Sequence, residues 1–68
     1  MDYFTYTQKL DAFKRLAQLQ ATGTPREAAN RLNLSERTIK RMASRLRQNG
    51  TPIFFDRGIQ SYILPEFS

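Results

Sequence analysis

A mainly α-helical chain closed by a small C-terminal β-hairpin, its three helices forming a bundle, is the fold class these 68 residues predict. Three observations carry it. Apolar residues recur at helical spacing in three stretches up to Gln48, capping signals separate those stretches, and after Pro52 two short β-prone runs flank a turn. A chain this short buries only about 60% of the surface its unfolded form exposes, so its core is thin. It has no cysteine and no histidine, which removes disulfides and the commonest zinc ligand sets and leaves stability to apolar packing.

The first helix is expected over about residues 7–21. Leu10, Phe13, Leu16, Ala17 and Leu19 recur along it and cover roughly half the circumference at about 100° per residue. A stripe that broad predicts a helix packed from two sides. Thr22-Gly23 supplies the break, with Gly23 able to take the left-handed cap conformation. The second helix, over about 24–32, opens on Thr24-Pro25-Arg26-Glu27. An N-cap threonine, a proline at the first helical position and a glutamate three residues after the cap form a capping box. Asn33, which tolerates the left-handed conformation, ends it.

Ser35 is a fresh N-cap with Glu36 in the first turn, and the third helix is expected over about 35–48. Its apolar residues Ile39, Met42, Ala43 and Leu46 stand at i, i+3, i+4 and i+7, and Asn49-Gly50 stops it. Ile53-Phe54-Phe55 and Tyr62-Ile63-Leu64 then read as the strands of a hairpin over about 53–64, before Pro65.

The positive charge is localised. Residues 24–50 hold seven of the eleven Lys/Arg and two of the six Asp/Glu, so they account for the net charge of +5. Concentrated basic charge is the electrostatic footprint of a polyanion partner, although a merely solvated basic helix shares it.

Two helices joined by a short turn, with small residues at the crossing, make a helix-turn-helix. Ala28 and Ala29 thin the second helix where the third crosses it; Leu32 and Leu34 flank the turn and point inward; Ile39 and Met42 bury the third helix. Placing Ile39 at zero and stepping about 100° per residue puts Ser44, Arg37, Gln48 and Arg41 opposite the apolar face, flanked by Lys40, Thr38 and Arg45. From Arg37 to Gln48 there are five bases and no acid, where an ordinary solvent face mixes both. Such a helix suits the major groove of double-stranded DNA, where arginine grips guanine O6 and N7. Arg37, Lys40 and Arg41 are the expected base readers. Thr38 is assigned to a phosphate or a thymine methyl, and Arg45 to phosphate. Ser44 and Gln48 share the exposed face. Thr24 and Ser35 mark helix N-termini whose free N–H groups suit phosphate oxygens. Arg57, at the hairpin tip, is placed for phosphate or the minor groove, or is a plain solvated turn residue.

The run GTPREAANRLNLSERTIKRM, Gly23 through Met42, resembles the helix-turn-helix of DeoR-type regulators and the DNA-binding domain of the biotin operon repressor. Gly50-Thr51-Pro52-Ile53 and Ser61-Tyr62-Ile63-Leu64 are similar to their Gly-x-Pro-Ile and Gly-Tyr-x-Leu wing. The resemblance spans about Leu10 to Leu64 and is strongest to small stand-alone bacterial helix-turn-helix proteins. It implies a winged helix fold and transcriptional regulation, with Ser35, Arg37, Thr38, Lys40 and Arg41 in the groove-facing slots. Ser61 departs from the pattern, standing where a glycine often precedes the wing tyrosine. The larger relatives carry a ligand-binding or catalytic domain after the wing, whereas this sequence runs to Ser68.

Tyr3, Phe4 and Tyr6 are three aromatics in a polar stretch. They are expected either to cover the hairpin base or first helix, or to form a homodimer interface with the outer part of the Ala12, Leu16 and Leu19 stripe. Catalysis is not expected, since no His, Cys, phosphate-binding glycine loop or paired carboxylates occur, and no metal or cofactor is implied. A protein-interaction winged helix is one alternative, and would expose apolar residues on its third helix. An architectural or recombination accessory factor is another and would share the DNA-binding surface. RNA binding is disfavoured because the aromatics lie in segments that read as core strands. No apolar run approaches a membrane span and no signal-peptide profile occurs, so a cytoplasmic protein is the expectation.

Overall fold

A computed structural model describes residues 2–65 of the chain. Its first helix starts at Asp2, whose carboxylate accepts a hydrogen bond from the Thr5 N–H at 2.7 Å. That bond holds the Asp2 carboxyl below the usual carboxylate range and satisfies an otherwise orphaned amide. Helix α1 therefore spans Tyr3–Gln18, beginning earlier than Thr7 and ending before Ala21. Helices α2 (Pro25–Leu32) and α3 (Glu36–Gln48) follow, and then strands β1 (Phe54–Asp56) and β2 (Ser61–Ile63).

All three helices end in the same way. A left-handed residue reverses the chain, and two backbone bonds close over the last turn. After α1 the left-handed residue is Gln20 (φ 56°), with the Gln20 N–H on Ala17 O at 3.1 Å and the Ala21 N–H on Leu16 O at 2.8 Å. Asn33 (φ 57°) does this for α2 and Gly50 (φ 91°) for α3. Gly23 thus does not cap α1. It has φ 73° and lies under Glu27, where an added Cβ would come within 2.8 Å of the Glu27 Cβ. Its glycine is required by the neighbouring side chain as much as by the backbone. Glu27 in turn takes a 3.3 Å bond from the Thr24 hydroxyl, while Thr24 Oγ1 accepts from the Glu27 N–H at 3.2 Å.

The core lies where the three helices meet the hairpin. Phe13 and Ala17 enter it from α1, Ala28 and Ala29 from α2, and Ile39, Met42, Ala43 and Leu46 from α3. Ile53, Tyr62 and Leu64 close it from the C-terminal side, and Leu10, Leu32 and Leu34 pack at its margin. The Lys9 ammonium donates to the Leu32 carbonyl at 2.6 Å, so a cation from α1 holds the C-terminus of α2. Within the chain α1 packs against both α2 and β2, with Phe13 and Ala17 buried. Leu19, the helical C-cap of α1, lies about 120° around the helix from Phe13 and is 69% exposed. Tyr3 and Phe4 are also exposed; they form the first turn of α1 and cover neither the hairpin nor the helix. Of the three N-terminal aromatics, Tyr6 alone packs on the core.

The strands pair antiparallel, Phe54 with Ile63, Phe55 with Tyr62 and Asp56 with Ser61. Asp56 Oδ1 shapes the turn by accepting from the Gly58 N–H at 2.7 Å and the Ile59 N–H at 3.3 Å. Tyr62 meets Phe13 edge-on at 5.1 Å between ring centroids and Phe55 at 5.2 Å. Burial pushes its phenol pKa up, because the charged form loses its solvation there.

Ser61 is buried for a reason that local sequence does not reveal. Its hydroxyl lies 3.0 Å from the Thr22 hydroxyl, and Thr22 Oγ1 accepts the Tyr62 N–H at 2.8 Å. The α1–α2 connection thereby covers the outer edge of β2, as a third strand would. Thr22→Val keeps the side-chain volume but leaves the Tyr62 amide without its acceptor, while the Ser61 hydroxyl keeps the Thr22 N–H and the Tyr62 carbonyl. The expected loss is about 1–3 kcal/mol of stability, read from the midpoint of urea unfolding; an unchanged midpoint would show that the pair contributes nothing.

Among the described residues no helix is long and apolar enough to cross a membrane.

Candidate nucleic-acid interface

The orientation of α3 follows from what it hides. Ile39 and Met42 are fully buried, Ala43 and Leu46 nearly so, and all four lie on one side of a 13-residue helix. The opposite side must then face solvent. It carries Arg37, Lys40, Arg41, Ser44, Arg45, Arg47 and Gln48, all exposed, with Thr38 half-buried at its margin. None of the exposed large apolar residues among the described positions lies on α3.

Two shallow depressions run along this surface. One, of about 470 Å³, is lined by Glu36, Arg37, Lys40, Arg41 and Ser44. The other, of about 510 Å³, is lined by Tyr6, Thr38, Arg41, Met42, Ser44, Arg45 and Gln48. Arg41 and Ser44 belong to both and so mark the midline of the exposed face.

The charges differ between the two sides. Lys40 Nζ lies 3.9 Å from Glu36 Oε1, one helical turn back, with both side chains more than half exposed. Such an i,i+4 surface pair is worth only about 0.3–0.5 kcal/mol and is screened by salt, yet it diverts Lys40 from an external anion. Among the described residues it is the one ion pair, so Arg37, Arg41, Arg45 and Arg47 have no carboxylate partner there.

The expected site residues do not all gather. Arg37, Lys40, Arg41, Ser44, Arg45, Gln48 and Thr38 line the α3 depressions. Ser35 caps the helix, its Oγ accepting the Thr38 N–H at 3.2 Å and lying 2.8 Å from the Thr38 hydroxyl. Thr38 is thus engaged inside the chain, which limits what its hydroxyl offers a ligand. Thr24 is held by Glu27 at the start of α2, and Arg57 is exposed on the hairpin turn; neither lines these depressions.

Two features escaped the reading of the sequence. Tyr6 reaches the edge of the α3 surface from α1; stepping back four residues from Leu10 along the same helical face would have found it. Arg26 and Arg31 add exposed cations on α2, which the charge concentrated over residues 24–50 already signalled. Among the described residues no cluster of His, Cys, Asp and Glu could hold a metal ion. No family model matches the sequence, and neither a curated protein nor a solved structure matches it.

Proposed function

We propose that this chain is a winged helix-turn-helix domain that binds duplex DNA as a transcriptional regulator, with α2 and α3 as the two helices of the motif and the β1–β2 hairpin as the wing. One observation carries the reading: four buried apolar residues on one side of α3 turn outward a surface with four arginines that have no carboxylate partner among the described residues. In this reading α3 enters the major groove, whose base edges present the acceptors that arginine grips in bidentate fashion. Arg41 and Ser44, on the midline, face the bases together with Arg37. Arg45 meets phosphate, and the N-termini at Thr24 and Ser35 offer backbone amides to neighbouring phosphates. Lys40 contributes once the groove potential outcompetes Glu36.

A protein-interaction domain would need apolar side chains on the outward face of α3, and the exposed apolar residues lie elsewhere, at Tyr3, Phe4, Leu19, Phe54 and Ile59. An architectural or recombination role would use the same surface as a regulator; selecting bound fragments from random duplex DNA separates the two by the specificity and half-site spacing it returns.

Titration of a labelled duplex over a range of salt concentrations tests the reading. With about four to six phosphates neutralised, log K is expected to fall against log salt with a slope of roughly −4 to −5. A flat response, or no duplex binding at low salt, overturns it.

A further inference from the structure

The two edges of the α3 surface are built differently. At about 100° per residue, Lys40 and Arg47 lie to one side of the Arg41–Ser44 midline and Thr38 and Arg45 to the other. The first edge contains the Glu36–Lys40 pair. Among the described residues the second contains no acid, and it is walled by Tyr6, a residue from a different element. Tyr6 rests on the core while lining the groove that also holds Arg41, Arg45 and Gln48. The first turn of α1 is fixed in place by the Asp2 cap, so this phenol stands on an ordered support. Guanidinium groups with no carboxylate partner among the described residues, beside a phenol and a carboxamide, make a donor-rich groove, and a donor-rich groove suits an oxyanion with several acceptor lone pairs. Alongside a helix seated in the major groove, the oxyanion at that distance is a phosphodiester of the flanking strand.

We propose that Tyr6 is a positioning residue for DNA: its hydroxyl donates to a backbone phosphate oxygen held by Arg45 and Gln48, and so sets how α3 is seated in the groove. This rests on the duplex-DNA reading above. A contact made from α1 gives the domain a phosphate anchor that does not belong to the reading helix, and such an anchor fixes register without adding sequence preference.

The test uses the full chain and a duplex chosen by selection, first unmodified and then with single neutral methylphosphonates stepped along each strand. Tyr6→Phe keeps the ring on the core and removes only the donor. It is expected to bind the unmodified duplex about 5- to 20-fold more weakly, with its preference among base sequences unchanged. For the native chain one methylphosphonate position flanking the site should cost more than that factor, because Arg45 loses its anion there as well, and Tyr6→Phe should lose less than the native chain at that position alone. Equal affinity of Tyr6→Phe and the native chain overturns the proposal. So does a weakening that leaves the methylphosphonate profile unaltered, since a packing defect would do that. Failure of the native chain to bind any duplex overturns the DNA reading itself, a result distinct from either of these.

Discussion

Arg41→Ala is expected to weaken binding to a selected duplex by about 1–3 kcal/mol, roughly 5- to 150-fold, and to relax the preference at one base position. The prediction follows from geometry. Arg41 lines both depressions of the α3 surface, so it stands where the helix axis would lie deepest in a groove. It also has no carboxylate partner among the described residues, unlike Lys40, one position before it. Lys40→Ala should therefore cost less, because Glu36 already offsets part of that charge. Competition binding against a panel of single-base variants measures both effects. If Arg41→Ala weakened all sequences evenly, Arg41 would be a phosphate contact and α3 would be rotated about its axis relative to the proposed pose.

Phe13→Ala is expected to cost about 3–5 kcal/mol. A domain of this length has a total stability on the order of 3–10 kcal/mol, so the substitution removes a large fraction of it. Phe13 is fully buried and meets Tyr62 edge-on at 5.1 Å, with the rings inclined at 75°. Tyr62 meets Phe55 in the same way, so one ring ties α1 to the hairpin through an aromatic chain. Urea unfolding followed by circular dichroism reads the loss. Leu19→Ala, at a position 69% exposed, is the matching control and should stay within about 0.5 kcal/mol of the native chain. Comparable losses from the two substitutions would mean that the Leu19 side of α1 is covered in solution, by a second copy of the chain.

These two leucine and phenylalanine positions show where sequence reading reached its limit. Both fit the half-circumference stripe, Phe13 within it and Leu19 at its edge, and the stripe alone does not say which part the core covers. The fold separates them because it buries the side of α1 that holds Phe13 and Ala17, and Leu19, still helical at the C-cap, lies about 120° around the helix from Phe13. The left-handed residue after α1 is a glutamine, with none of the preference for that conformation that glycine or asparagine has, so the helix end was placed three residues too late. At the other end, the start near Thr7 overlooked Asp2, an N-cap type standing three residues before the amide it satisfies.

What the sequence by itself determined is everything set by partners within about one helical turn: the caps at Thr24 and Ser35, the left-handed stop at Asn33, and the apolar face of α3 that sends its arginines outward. Those interactions are encoded in spacings of three and four residues, and a linear reading contains them. Only the tertiary structure decided that Thr22 would meet Ser61, 39 residues away, that Lys9 would hold the carbonyl at the end of α2, and that Tyr6 would wall one edge of the α3 surface. Each of these joins groups that chain spacing does not relate. A hydroxyl, an ammonium or a phenol finds such a partner only after burial of the shared core has brought the elements together.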